Sequence, residues 1–312
     1  MNVAMQKPVV VGVDGSEQSL NAVRYAVQEA QRHGSPLRLV HVAPETVPMA
    51  PMLPLVSVET LDQVSHRVIN EAKALADDLT DRRTRVEKVI SPGSRVRTLV
   101  DAAEGARMIV LGHRNRSVLG RVFGSSTTTG VAARAHCPVV CVPDTWTPGD
   151  ENSQVVVGIE GPVHAQEALA VAFAAASERS ATLTVLHAWK LESAYDDIVS
   201  TRVAVEEWRR TATGMLETIL HEWREVYPEV KVEIDVVHQA TAAALVDVTR
   251  AADLLVLGRR GHRAPLGLHL GSVARTLIRE SHCPVVIAPA RTDLELVSSE
   301  RWAPDAEVAP ET

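Results

Sequence analysis

The stretch VVVGVDG, Val9 to Gly15, decides the fold, because it returns as VVVGIEG at Val155 to Gly161. The two copies lie 146 positions apart, and the same shift brings other landmarks into coincidence without a gap. LRLVH, ending at His41, falls on LTVLH, ending at His187. LVDAAEGARMIVLG, ending at Gly112, falls on LVDVTRAADLLVLG, ending at Gly258, and AHCPVVCVP (Ala135–Pro143) falls on SHCPVVIAP (Ser281–Pro289). One register kept over that distance means a duplicated domain. The expected organisation is a first domain over 1–145, a second over 154–291 and a disordered acidic tail over 292–312. PDTWTPGDENS, Pro143 to Ser153, has the composition of a linker. A length of 312 residues agrees with two domains at ~150 residues each.

Within the first copy, Val9–Val13, Leu37–Val42, Val86–Ile90, Met108–Leu111 and Val139–Val142 are apolar runs of strand length. Between them lie helical patterns. One has Leu20, Val23, Val27 and Ala30 on a face; the next has Leu61, Val64, Val68, Leu75 and Leu79 as its expected inner stripe. Two more helices are expected from about Ser94 and Ser126. Uniformly apolar strands alternating with helices predict a parallel sheet covered on both faces. The expected class is α/β: two tandem open five-stranded parallel sheets, flavodoxin-like, with strand order 3-2-1-4-5. Pro44 to Pro54, PETVPMAPMLP, reads as a lid over the strand ends or as an ordinary surface loop.

Hydrophobic residues make up 46% of the chain and aromatics only 3%, so two cores of Val, Leu, Ile and Ala are expected. A formal net charge of -7 argues against a nucleic-acid partner, which calls for a basic face. No apolar run reaches the ~18 residues of a membrane span, and the N-terminus lacks a signal-peptide pattern, so no membrane association and a cytoplasmic location are expected. On a strand, Cys137 and Cys141 would have Cα atoms roughly 13 Å apart, too far for a disulfide. Cys137 and Cys283 hold equivalent places in the two copies, which reads as packing.

Ligands of open α/β sheets bind beyond the carboxyl ends of the strands, where strand order reverses. After the fourth strand of the second copy the chain reads LGRRGHRAPLGLHLGSVAR, with Gly258, Gly261, Gly271 and Ser272 in a G-x2-G-x9-G-S pattern. Glycines allow the backbone close to a phosphate and tolerate positive φ. A helix opening at Ser272 would offer unpaired N–H groups and a positive dipole end to an anion. Arg259, Arg260, His262 and Arg263 add positive charge. The bland reading is that these are turn glycines only.

This pattern, together with VGVDG on the first strand, resembles the ATP-binding branch of the universal stress protein family, over roughly Lys7 to Arg291 and twice over. The resemblance implies that Asp14 contacts adenine and ribose, that Val42 and its partner Ala188 offer backbone contacts to adenine, and that Gly258, Gly261, Gly271 and Ser272 contact ribose and phosphates. The candidate binding residues are thus Gly12, Val13, Asp14, Val42, Gly112, Asn115, Ser125 and Ser126 in the first copy. In the second they are Gly158, Glu160, Ala188, Gly258, Arg259, Gly261, Gly271, Ser272 and Val273. Each copy departs from the pattern. Glu160 replaces the aspartate, and Asn115 and Ser125 replace two glycines unless Gly124 and Ser125 form the Gly-Ser pair with the loop one residue shorter. Asp14 equally fits a turn residue capping the first helix.

The implied cofactor is ATP, with or without Mg2+, and the implied role is a stress-response sensor or regulator read by an unidentified protein partner. Two alternatives stand beside it: an interaction module with decayed pockets, and a slow ATP-hydrolysing enzyme. The chain has no GxxxxGK[ST] loop, no HExxH and no CxxC, and no placed general base, so no catalytic or metal residues are assigned. His41, His187, His136 and His282 read as structural or hydrogen-bonded residues. By the resemblance, the two copies pair through their last strands as an intramolecular pseudo-dimer, and a homodimer of chains is left open.

Overall fold

The protein was analysed as a computed structural model, which describes residues 6–44, 58–113, 125–149, 153–162, 165–190, 202–259 and 270–290. The first half runs β1 (Val9–Gly12), α1 (Glu17–Arg32), β2 (Leu37–Ala43), α2 (Val58–Leu79), β3 (Val86–Pro92), α3 (Arg95–Ala102), β4 (Met108–His113), α4 (Ser125–Ala132) and β5 (Val139–Pro143). The second repeats it as β6 (Gln154–Gly158), α5 (Ala165–Arg179), β7 (Thr182–Trp189), α6 (Arg202–Val226), β8 (Val232–His238), α7 (Thr241–Val248), β9 (Leu254–Gly258), α8 (Ser272–Glu280) and β10 (Val285–Ala288).

The ten strands form one sheet in the order β3-β2-β1-β4-β5-β10-β9-β6-β7-β8. Each half has the expected 3-2-1-4-5 order with parallel pairing. The halves meet where β5 and β10 pair antiparallel, with Cys141 opposite Val285 and Val140 opposite Val286. One apolar core lies on each face of the sheet, and each core draws residues from both halves. The three cysteines are free and buried within this packing.

Local chemistry sets the ends of the helices. Ser16 caps α1, its hydroxyl accepting from the Ser19 amide at 3.2 Å, and Glu17 sits in the first turn where the helix dipole favours it. At the other end, Gly34 at φ +59 closes a Schellman turn, with Ser35 N bonded to Ala30 O at 2.8 Å and Gly34 N to Gln31 O at 3.2 Å. The equivalent turn after α5 uses Ser180 at φ +50, with Ala181 N bonded to Ala176 O at 2.9 Å.

The buried stripe of α2 differs from the sequence expectation. Val64 and Leu79 are 44% and 45% exposed, while Ser65, Ile69, Ala72 and Ala76 face the core, with Val68 and Leu75 flanking them. Small residues, not the bulkier Val and Leu, let this helix lie close to the sheet, and a reading that weights large aliphatics selects a neighbouring face. The side chain of Leu61 lies outside the described residues.

The halves are also fastened by charge. Glu29 on α1 bonds Arg179 on α5 at 2.5 Å; Arg32 reaches the same carboxylate at 2.7 Å, and His33 bridges to Glu178 at 3.3 Å. Glu29 and Arg179 are almost completely buried. A pair so buried must be mutually satisfied, because an unmatched charge there would be costly.

Candidate functional site

Strand order reverses between β1 and β4 in the first half, so their carboxyl ends bound a crevice; β6 and β9 do the same in the second. The turns leaving these strands carry the candidate residues. Val13 is locked in place, its amide bonded to Val40 O at 2.9 Å and its carbonyl to His41 Nδ1 at 2.8 Å. His187 repeats that bond, with Nδ1 2.9 Å from Ile159 O. A carbonyl only accepts, so each histidine carries its proton on Nδ1. These buried or half-buried histidines brace the turns that present Asp14 and Glu160.

Asp14 itself is exposed, and its Oδ1 accepts from the Ser16 amide at 3.0 Å and the Ser16 hydroxyl at 2.5 Å. Partial burial pushes its carboxyl up, but the bonds from Ser16 and Ser19 and the charge of Arg95 outweigh that and leave it below the usual aspartate range. It is therefore a carboxylate at neutral pH. The turn role and a ligand role are compatible, since both Ser16 bonds fall on one oxygen. Glu160 is exposed at the equivalent turn.

The glycines divide by function. A Cβ at Gly12 would meet Leu111 at 2.6 Å, and one at Gly158 would meet Leu257 at 2.9 Å, so these two admit side chains of the sheet's own core. At Gly112 a Cβ would lie 2.0 Å from the backbone oxygen of Gln18. This glycine lets the first turn of α1 lie against β4. Gly258 ends β9 and pairs with Ala288.

Gly271 is different. As the N-cap of α8 it has φ -59, so positive φ is not the reason for glycine here, and a Cβ would meet no described atom within 4 Å. Among the described residues no side chain caps α8. Ser272 and Val273 form its first turn, and Ser272 is exposed. In the first half, Ser125 and Ser126 are the first residues of α4. Asn115 and Gly261 lie outside the described residues, as do Gly124, Arg260, His262, Arg263, most of the Pro44–Pro54 stretch and the tail.

Two backbone candidates have neighbours that sequence could not supply. Val42 pairs with Ser91 in the ladder, and the Ala188 carbonyl accepts from the Thr241 hydroxyl at 3.4 Å. Arg259 requires correction. Its Nη1 donates to Ala135 O at 2.9 Å and to Ala132 O at 3.4 Å, at the carboxyl end of α4 in the other half. A guanidinium there meets the negative end of a helix dipole, so its side chain ties the halves together instead of facing phosphate.

An aromatic stack also escaped the sequence reading. At the ends of β7 and β8, Trp189 stacks on His238 with ring centroids 4.2 Å apart, and on Trp208 of α6 at 5.3 Å. Comparing the copies at the 146-residue shift would have found it, since the first half has Ala43, Pro92 and Asp62 at these places. Among the described residues no group of three His, Cys, Asp or Glu side chains is placed to hold a metal ion, and no helix is long and apolar enough to cross a membrane.

Two doubly wound α/β units joined edge to edge, with crevices at their strand reversals, define a duplicated α/β protein. The model of the universal stress protein family matches residues 5–143 and again 151–289. A universal stress protein of Mycolicibacterium smegmatis is 34% identical over 293 residues, spanning 92% of this chain and 99% of its own length. One from Mycobacterium tuberculosis is 33% identical over 292 residues, spanning 90% and 95%. The crystal structure of a universal stress protein from Archaeoglobus fulgidus superposes with a TM-score of 0.65 at 19% identity, over 90% of this chain and 98% of that one, a likeness of fold. The chain belongs to the universal stress protein family, in its tandem form.

Proposed function

We propose that this protein binds an adenine nucleotide, ATP, at the carboxyl ends of its strands and serves as a sensor or regulator whose loaded state is read by a protein partner, not as a catalyst. The observation that carries this reading is the start of α8. Among the described residues no side chain caps α8, and a Cβ on its N-cap Gly271 would meet no described atom within 4 Å; a helix N-terminus of this kind, following a strand of the reversal, suits a phosphate group. Asp14, held ionised at the end of β1 on a turn braced by His41, supplies an acceptor for sugar hydroxyls or an exocyclic amine. Mg2+, if it accompanies the nucleotide, would be held chiefly by the phosphates. Reduced, buried thiols fit a cytoplasmic setting.

The test is direct. Purified protein is denatured, the released nucleotide is resolved by ion-pair chromatography, and ATP is titrated calorimetrically into wild type, Asp14→Ala and Gly271→Glu. Binding that weakens at least tenfold in one variant supports the reading and identifies the half responsible. Absence of both co-purified nucleotide and heat at millimolar ATP overturns it in favour of an interaction module.

A further inference from the structure

The two crevices are not copies of one another. In the first half the β1–α1 turn is packed against α2: a Cβ on Gly15 would lie 3.0 Å from Val68. The equivalent residues of the second half are both glycine, Gly161 and Gly214, and a Cβ on either would meet no described atom within 4 Å. Among the described residues, no packing of this kind closes the β6–α5 turn on its α6 side. On that side stands the stack His238–Trp189–Trp208, with interplanar angles of 22° and 17°. Trp189 and His238 are register partners on β7 and β8 and hold each other in place, and Gln239 N fastens the Trp189 carbonyl at 3.0 Å. Local packing accounts for those two rings. It leaves Trp208 with 54% of its surface exposed at the end of a preformed stack.

Resting on the nucleotide reading above, we propose that the second half seats the base of its nucleotide on this ring stack, and that the two halves consequently differ in base selectivity. Trp189 directly follows Ala188, the backbone position expected beside the base, which puts the stack one residue farther along β7. Stacking on an indole accepts any purine, because every base has a π-face. The first half has Ala43, Pro92 and Asp62 in place of the rings and relies on polar contacts, Asp14 among them, which discriminate between exocyclic groups. The second half thus accepts adenine and guanine nucleotides alike, and the first accepts adenine nucleotides.

The test titrates ATP, GTP and tripolyphosphate separately by calorimetry into wild type, Asp14→Ala, Trp208→Ala, Trp208→Phe and Trp189→Ala. Trp208 is exposed, so its replacement leaves the fold intact, which circular dichroism checks. Wild type is expected to take ATP at two sites and GTP at one. Asp14→Ala keeps GTP binding, Trp208→Ala weakens it about tenfold or more, and Trp208→Phe restores most of it. GTP binding unchanged in both Trp208→Ala and Trp189→Ala, ATP binding without any GTP binding, or tripolyphosphate binding as tightly as GTP would each overturn the inference while leaving the nucleotide reading in place. Heat from neither nucleotide overturns both.

Discussion

Arg179 donates to Glu29 across the junction of the halves, 150 residues away in sequence, at 2.5 Å and with almost no access to water. Glu29→Gln leaves the guanidinium buried without its counter-ion and should cost about 3 kcal/mol or more, read as a lowered urea midpoint. Burial by itself would raise the Glu29 carboxyl, but Arg179, His33 and Arg32 outweigh it and bring it to about 2, against 4.5 for a free glutamate. A depressed carboxylate contributes stability that is complete above the unfolded value and lost as pH falls toward the folded one. The melting temperature should therefore drop between about pH 4.5 and 2, and drop less steeply in Glu29→Gln.

Arg259 supplies another cross-half contact. Arg259→Ala removes two bonds to the carbonyls of Ala132 and Ala135 and should destabilise the protein by about 1–3 kcal/mol. ATP affinity should stay within about twofold of wild type. A loss of affinity greater than tenfold, with stability unchanged, would return this residue to the phosphate site.

Gly112→Ala places a methyl 2.0 Å from the Gln18 carbonyl oxygen. Backbone on both sides leaves no side chain free to yield, so a loss of about 3 kcal/mol is expected in denaturant melts. Unchanged stability would mean that α1 can slide away from β4.

Burial pushes the thiols of Cys137, Cys141 and Cys283 up to about 12. Iodoacetamide at neutral pH should leave all three unmodified in the folded protein and alkylate all three in denaturant, as mass spectrometry will count.

Ser180 adopts the left-handed conformation that Gly34 holds at the matching turn. Ser180→Gly relieves that strain and should raise stability by up to about 1 kcal/mol. A fall in stability would mean that chain entropy in the unfolded state outweighs the strain.

Most of the architecture was legible because it rests on local pattern repeated at one interval. The apolar runs from Val9, Leu37 and Met108 are strands, and helices start close to Ser94 and Ser272 as expected, while the first helix is capped by Ser16 and not by Asp14. What escaped depends on neighbours distant in sequence. Nothing near Arg259 reveals the carbonyl of Ala135, nothing near Gly112 reveals Gln18, and the pairing of Glu29 with Arg179 exists only once the halves dock. The buried face of α2 differs from the expectation in that Ala72 and Ala76 are buried beside Ile69 while Val64 and Leu79 stand toward solvent. The Trp189–His238 stack is a difference between the halves, so the pattern they share does not reveal it.

The antiparallel seam of β5 and β10 has a consequence for how the protein responds to its own abundance. Two separate chains meeting along such an edge would come apart on dilution, and any ligand spanning them would sense protein concentration as well as its own. Here the partners are tethered through residues 144–153, which holds each half in the presence of the other at an effective concentration on the order of millimolar. The junction with its buried charges therefore forms in a cell holding a few copies as completely as in one holding thousands.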